Sequence, residues 1–183
     1  MIASEPDLQP TLTGETVDLR PTRPEDWDGL FEAASDPAIW AVHPAHDRWQ
    51  EPVFRNYFED ALRSQGSVTI RERATGRIIG ASRYSREYAG DGEVEVGWTF
   101  LVRDHWGGIT NLELKRLMLD HAFRWFDPVI FAVGESNVRS RRALEKIGAS
   151  LRGGVQHREM AGGIATHVIC QIRKADWCSR WPV

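Results

Sequence analysis

Trp106-Gly107-Gly108-Ile109-Thr110-Asn111-Leu112-Glu113 is a glycine pair that runs into a helix and follows the apolar, strand-like segment Val94 to Val102. A strand that ends in small residues and then opens a helix leaves backbone N–H groups unpartnered at the positive end of the helix dipole, a setting that suits phosphate oxygens. Thr110 and Glu113 stand at capping-box spacing, so the helix is expected to begin at Asn111 with Leu114, Leu117, Met118 and Ala122 on one apolar face. Taken alone, the segment reads either as a cradle for a phosphorylated ligand or as an ordinary, well-capped strand-to-helix turn.

Working outward, Pro128-Val129-Ile130-Phe131-Ala132-Val133 has the composition of a strand. Asn137-Val138-Arg139-Ser140-Arg141-Arg142-Ala143-Leu144-Glu145-Lys146-Ile147-Gly148-Ala149 reads as a short helix closed by a glycine. Joined to Glu95-Val96-Gly97-Trp98 and the glycine loop, this order resembles the GNAT superfamily of acetyl-CoA-dependent N-acetyltransferases. Within it the chain is most similar to the branch that contains the ribosomal-protein N-terminal acetyltransferases. That branch reads Glu-hydrophobic-Gly-aromatic, then Trp-Gly-loop-Glu-Ala, then Asn-x-x-Ser-x-x-x-x-Glu-Lys-x-Gly. The resemblance extends from Leu12-Thr13-Gly14-Glu15-Thr16-Val17-Asp18-Leu19-Arg20-Pro21 to a closing hairpin that turns at Gly162-Gly163 and ends near Trp177. It implies an α+β fold: a central, mostly antiparallel sheet flanked by helices, with two parallel strands splayed apart at the cofactor. One domain over residues 12–177 is expected, between tails 1–11 and 178–183.

The resemblance also distributes roles. Acetyl-CoA is the implied cosubstrate, with Phe100, Val102, Trp106, Gly107, Gly108, Ile109, Thr110, Asn111, Asn137, Ser140 and Arg142 as its expected contacts. Glu95 matches the glutamate that relays the amine proton in many members. By period-two alternation it shares a strand face with Glu93, and both residues could instead line a polar, half-exposed face. Where the superfamily loop reads Gly-x-Gly-x-Ala, this chain has Gly107, Ile109 and Asn111, and the adjacent Gly108 offers the close backbone approach instead. Leu144 stands where many members carry a tyrosine that protonates the departing thiolate, which passes that role to Ser140 or to a water it fixes. Ser140 could equally satisfy a carbonyl of its own helix, and Asn137 could serve as a helix cap. Arg139, Arg141 and Arg142 read either as partners for the 3′-phosphate of coenzyme A or as a solvated helix face. Trp40 and His43 in the segment Ile39 to His46, together with Glu93 and His157, are the candidates for the acceptor site.

The rest of the chain is consistent with one such enzyme domain. At 183 residues and 42% hydrophobic content it can bury a single sizeable core. No apolar run approaches a membrane span, and the polar Met1-Ile2-Ala3-Ser4-Glu5-Pro6-Asp7 lacks the pattern of a signal peptide, so a cytoplasmic setting is expected. Cys170 and Cys178 lack metal-ligand spacing, so free thiols and no metal are expected. A net charge of −3 without a basic block argues against nucleic-acid binding. The expected partners are therefore acetyl-CoA and an amine acceptor, a protein N-terminus or a small molecule, in a monomer or homodimer. The alternative is a non-catalytic acetyl-CoA-binding or sensing module on the same fold.

Overall fold

The computed structural model describes residues 5–160 and 163–181. Residues 1–4 and 182–183 of the expected tails, and Gly162 of the expected hairpin turn, lie outside them. One eight-stranded sheet runs β1 (Leu12–Thr13), β2 (Val17–Pro21), β3 (Ser67–Glu72), β4 (Ile78–Ser85), β5 (Val94–Leu101), β6 (Val129–Gly134), β8 (Gly163–Ile172), β7 (Ser150–Met160). Every neighbouring pair is antiparallel except β5 and β6. The helices are α1 (Trp27–Ala34), α2 (Pro37–Trp40), α3 (Glu51–Arg63), α4 (Ile109–Ala122), α5 (Val138–Lys146) and α6 (Lys174–Arg180). This is the mixed α+β sheet expected from the sequence. No helix among the described residues is long and apolar enough to cross a membrane.

The sheet separates two apolar layers. On one face Leu114, Met118, Leu119 and Ala122 of α4 pack with Val17, Leu19, Val68 and Ile70, and Trp177 of α6 closes the same cluster. On the other, Leu30, Ile39, Trp40, Phe54, Tyr57 and Phe58 of α1 to α3 pack with Ala81 and Phe100. Along β5 the parity of these contacts changes. Val94 and Val96 join the α4 layer, yet beyond Trp98 it is Leu101 that does so, while Phe100 turns to α1–α3. A β-bulge causes the inversion: Ala81 pairs with Phe100 and Arg83 with Gly97, so Trp98 and Thr99 together face Ser82.

The start of α4 departs from expectation. The helix begins at Ile109 with Gly108 as its N-cap, two residues before Asn111, and no side chain caps it. Glu113 is drawn away by better partners, because its carboxylate accepts from the backbone N–H of Glu15 and Thr16 and from the Thr16 hydroxyl at the β1–β2 turn. Thr110 pairs with the His105 ring at 3.1 Å. The buried face is also wider than one stripe, since Lys115, Leu119 and His121 are buried with Leu114, Met118 and Ala122, whereas Leu117 is only partly covered.

Candidate functional site

The site begins where two parallel strands part. β5 and β6 pair only at Val94 with Val129 and at Glu95 with Ile130; beyond that the bulge bends β5 away. Trp98, at the bulge, has φ of 51°, a left-handed conformation that costs a non-glycine residue of order 1 kcal/mol or more and persists only when its surroundings hold it. Three contacts do so. The Tyr57 hydroxyl donates to the Trp98 carbonyl at 2.9 Å, the Arg83 guanidinium lies 4.7 Å from the indole, and the Ser82 and Thr99 hydroxyls are 2.7 Å apart. The parted strands enclose a cavity of about 230 Å³ whose walls include Val96, Phe100, Phe131, Asn137, Ser140 and Leu144.

One end of this cavity is the glycine loop. Gly107 has φ of 68°, and a Cβ built on Gly108 would meet nothing within 4 Å, so bare backbone faces open space there. With no side-chain cap, the first N–H groups of α4 remain available to an anion. Gly107 and Asn111 line the cavity, whereas Gly108, the 70% exposed Ile109 and the buried Thr110 are not among its lining residues. Val102, also expected at the cofactor, is outside the lining; it packs against the two core clusters and donates its N–H to the Ile79 carbonyl at 2.9 Å. Trp106 is pinned by its indole N–H to the Leu101 carbonyl at 2.8 Å, and Arg139 of α5 stacks 3.8 Å from the ring while donating to the Ile39 carbonyl at 3.2 Å. That stack joins the two lips of the cleft.

On the α5 side, Asn137 caps the helix by accepting from the Ser140 N–H at 3.1 Å, and it lines the cavity as well. Its Nδ2 makes no hydrogen bond among the described residues, and neither does the Ser140 hydroxyl, so no carbonyl of α5 claims that serine. Arg142 is exposed and outside the lining, as a solvated position would be. A residue of this cavity missed from the sequence is Lys115. It is 8% exposed, its Nζ is 3.5 Å from the Thr99 hydroxyl and 5.3 Å from the Phe131 ring centroid, and burial pushes its pKa down to about 8. A signal existed, because residues 115, 118, 119 and 122 follow helical spacing and put a lysine among apolar positions.

A second cavity of about 280 Å³ adjoins the first, and His43, Trp98, Ala132 and His167 line both. Glu95 lies here, 1% exposed, each carboxylate oxygen accepting from Arg158 at 2.9 and 2.8 Å. Glu93 does not join it; Arg152 and the Gly90 N–H hold that carboxylate, and the Arg152 hydrogen bond lowers its pKa. His157 also lies outside both linings, paired with Thr166 at 3.3 Å, because strand alternation on β7 points Arg158 inward in its place. His43 accepts the Ala45 N–H on Nδ1 at 2.9 Å, which assigns its proton to Nε2. Burial, helped by the charges of Arg48, His167 and Arg139, lowers its pKa to about 3. His167 has the opposite tautomer: Nδ1 lies 3.2 Å from the Ala165 carbonyl oxygen, leaving Nε2 as an acceptor, and burial followed by the Arg158 charge lowers its pKa.

The model of the acetyltransferase (GNAT) domain family matches residues 16–150. The chain belongs to this family. Solved structures show the same fold at low identity. A GCN5-related N-acetyltransferase from Brucella melitensis aligns over 92% of this chain and 80% of its own, at 20% identity and TM-score 0.76. RimJ from Mycobacterium smegmatis, in complex with CoA-disulfide, aligns over 91% of this chain and 84% of its own, at 18% identity and TM-score 0.65. The ribosomal-protein-S5-alanine acetyltransferase from Vibrio fischeri aligns over 92% of this chain and 98% of its own, at 15% identity and TM-score 0.64. No curated protein sequence matches significantly.

Within this GNAT fold the cleft gathers Phe100, Trp106, Gly107, Asn111, Asn137 and Ser140 of the expected cofactor set, and Trp40 and His43 of the expected acceptor set. Lys115, Arg48 and His167 complete the two cavities without having been expected from sequence, whereas Arg158 and Glu159, beside His157 near the last hairpin, are sequence candidates for the acceptor wall and do line the second cavity.

Proposed function

We propose that this GNAT chain transfers the acetyl group of acetyl-CoA to a primary amine by direct attack in a ternary complex. The observation that carries the reading is the parting of β5 and β6 over a cavity that has an uncapped helix start at one end and opens at the other onto a polar cavity. The residues fit the group. Bare backbone from Gly107 to Asn111 suits the pyrophosphate, the apolar walls Val96 and Phe131 suit the pantetheine arm, and Asn137 Nδ2 offers that arm a donor. Acetyl-CoA supplies the acyl group as an activated thioester.

The chain's own residues divide the remaining work. Glu95 accepts from the Arg158 guanidinium on both carboxylate oxygens, so that pairing occupies the groups a base would use. Its task in this reading is to fix Arg158 at the acceptor cavity. The free Nε2 of His167, in the wall common to both cavities, takes the proton that the amine sheds. Neutral His43 keeps an Nε2–H donor at the same junction. Ser140, whose hydroxyl no helix carbonyl claims, faces the developing thiolate where Leu144 offers no proton. Coenzyme release measured over a panel of amines, with acetyl-CoA binding measured by calorimetry, tests the proposal. We expect micromolar binding and release with at least one amine. Binding without release would make the chain a non-catalytic acetyl-CoA-binding module, and absence of binding would overturn the reading.

A further inference from the structure

The acceptor cavity has two walls of different electrostatic character. On the strand wall, Glu95 and Arg158 neutralise each other in a bidentate pair. On the helix wall, Asp60 of α3 engages Arg83 through Nη1 at 2.7 Å. Arg83 is only 3% exposed, and its Nε and Nη2 meet no hydrogen-bond partner. Beside it Arg48, from the segment joining α2 to α3, stands 5.1 Å from the Trp40 ring centroid and 4.8 Å from that of Tyr57. Among the described residues no carboxylate pairs with Arg48 and no acceptor receives its N–H groups. Burial accordingly lowers its pKa from the ordinary guanidinium value.

Two guanidinium groups, Arg48 and Arg158, line this space with Asp60 and Glu95, and each of those carboxylates is already engaged by an arginine, Asp60 by Arg83 from outside the lining and Glu95 by Arg158. The other acids in the lining, Glu87 and Glu159, are exposed at the rim. Asp47 and Asp60 act on Arg48 only through space, and a partly buried guanidinium whose N–H groups have no acceptor is unfavourable unless something else supplies one. The Arg48 guanidinium lies over two aromatic rings, which attract its charge without accepting its N–H groups in the manner of an oxygen, and a guanidinium with free N–H groups suits the fork of a carboxylate. We infer that the acceptor carries a carboxylate a few bonds from its reactive amine, and that Arg48, backed by Arg83, receives that carboxylate while the amine lies toward His167 and Glu95. The inference rests on the acetyltransferase reading of the site. It narrows the substrate class to amino acids or to peptide N-termini with an acidic side chain.

Matched acceptors test it. The first arm compares α-amino acids with their carboxamides. The second compares peptides beginning serine-aspartate with those beginning serine-asparagine, each rate corrected for the fraction of neutral amine. A hydrogen-bonded charge pair is worth about 10- to 100-fold, so one arm should show that preference in kcat/KM, and the arm that shows it names the source. Arg48→Met, which keeps the packed stem, should abolish the preference by bringing the carboxylate acceptor's kcat/KM down to that of its uncharged partner. Arg48→Lys, which keeps the charge, guards against a folding defect and should retain part of the preference. Calorimetry of the N-acetylated carboxylate and carboxamide in the presence of coenzyme A reads the same site without turnover. Arg48-dependent preference in binding with no acetylation would overturn the transferase reading and keep the carboxylate site. Acetylation indifferent to the carboxylate in both arms, or a preference that survives Arg48→Met, would overturn the carboxylate site alone.

Discussion

Replacing Lys115 with methionine offers the sharpest physical test of the cleft. Its pKa of about 8 in the folded chain, against 10.5 for an exposed lysine, means that charging it inside the protein is harder than in the unfolded chain. Between pH 8 and 10.5 the unfolded chain binds more protons, so this lysine's contribution to stability rises with pH across that window. Below pH 8 the penalty is fully present. A difference of 2.5 units corresponds to about 3 kcal/mol at pH 7 and falls to under about 1 kcal/mol at pH 10. The contact with Phe131 offsets of order 1 kcal/mol of it. We therefore expect Lys115→Met to be more stable than the parent by about 2 kcal/mol at pH 7 and nearly equal at pH 10, measured by urea unfolding at both values. Comparison with the parent at each pH cancels the titration of every other group. A methionine variant that is less stable at pH 7, or a gap that does not close at pH 10, would refute the argument. Titrated with acetyl-CoA, the same variant should bind about tenfold more weakly, because it loses the amine that faces the cleft.

Gly108→Val should leave the apo fold intact, since its Cβ meets open space, yet weaken acetyl-CoA binding by tenfold or more by filling the approach to the loop; unchanged calorimetric affinity would move the phosphate site elsewhere. His167→Gln should lower kcat by roughly 10²- to 10⁴-fold with little change in acetyl-CoA affinity, whereas Glu95→Gln should act mainly on the KM of the acceptor by releasing Arg158; the reverse split in steady-state kinetics would return proton removal to Glu95. Ser140→Ala should lower kcat more than it raises the KM for acetyl-CoA, and equal turnover where chemistry limits the rate would leave Ser140 without a catalytic part. His43, with a folded pKa of about 3 against 6.5, is buried neutral, so its contribution to stability is present above pH 6.5 and is lost as pH falls toward 3. That amounts to about 3 kcal/mol by pH 4.5, and the acid limb of a stability profile should flatten correspondingly in His43→Gln.

Local and near-local signals were enough for the family and for the elements. The glycine pair before an apolar helix, the Asn137 to Gly148 helix and the alternation through Val94 to Val102 each depend on residues close in sequence, so periodicity and capping chemistry reveal them. The cleft-lining positions Phe100, Trp106, Gly107, Asn111, Asn137 and Ser140 are implied by the resemblance to the family's motifs, which are themselves short stretches of sequence. What sequence alone left open was decided by contacts between residues far apart. Glu113 has capping-box spacing to Thr110, but it is some hundred residues from the β1–β2 turn whose three donors capture it, and that competition moved the start of α4 to Ile109. The bulge at Trp98 exists because α3 supplies Tyr57 and β4 supplies Arg83, and it inverts every facing beyond it. Glu95 became one half of an ion pair only when β7 brought in Arg158, and His167 reached the cleft wall only through the position of its strand. The charge balance of the acceptor cavity likewise sums over α3, β4, β5, β7 and the α2–α3 segment. Secondary structure follows from a side chain's own neighbours along the chain, whereas the protonation state and role of a buried group follow from whatever the fold packs against it, and no spacing in the sequence encodes that.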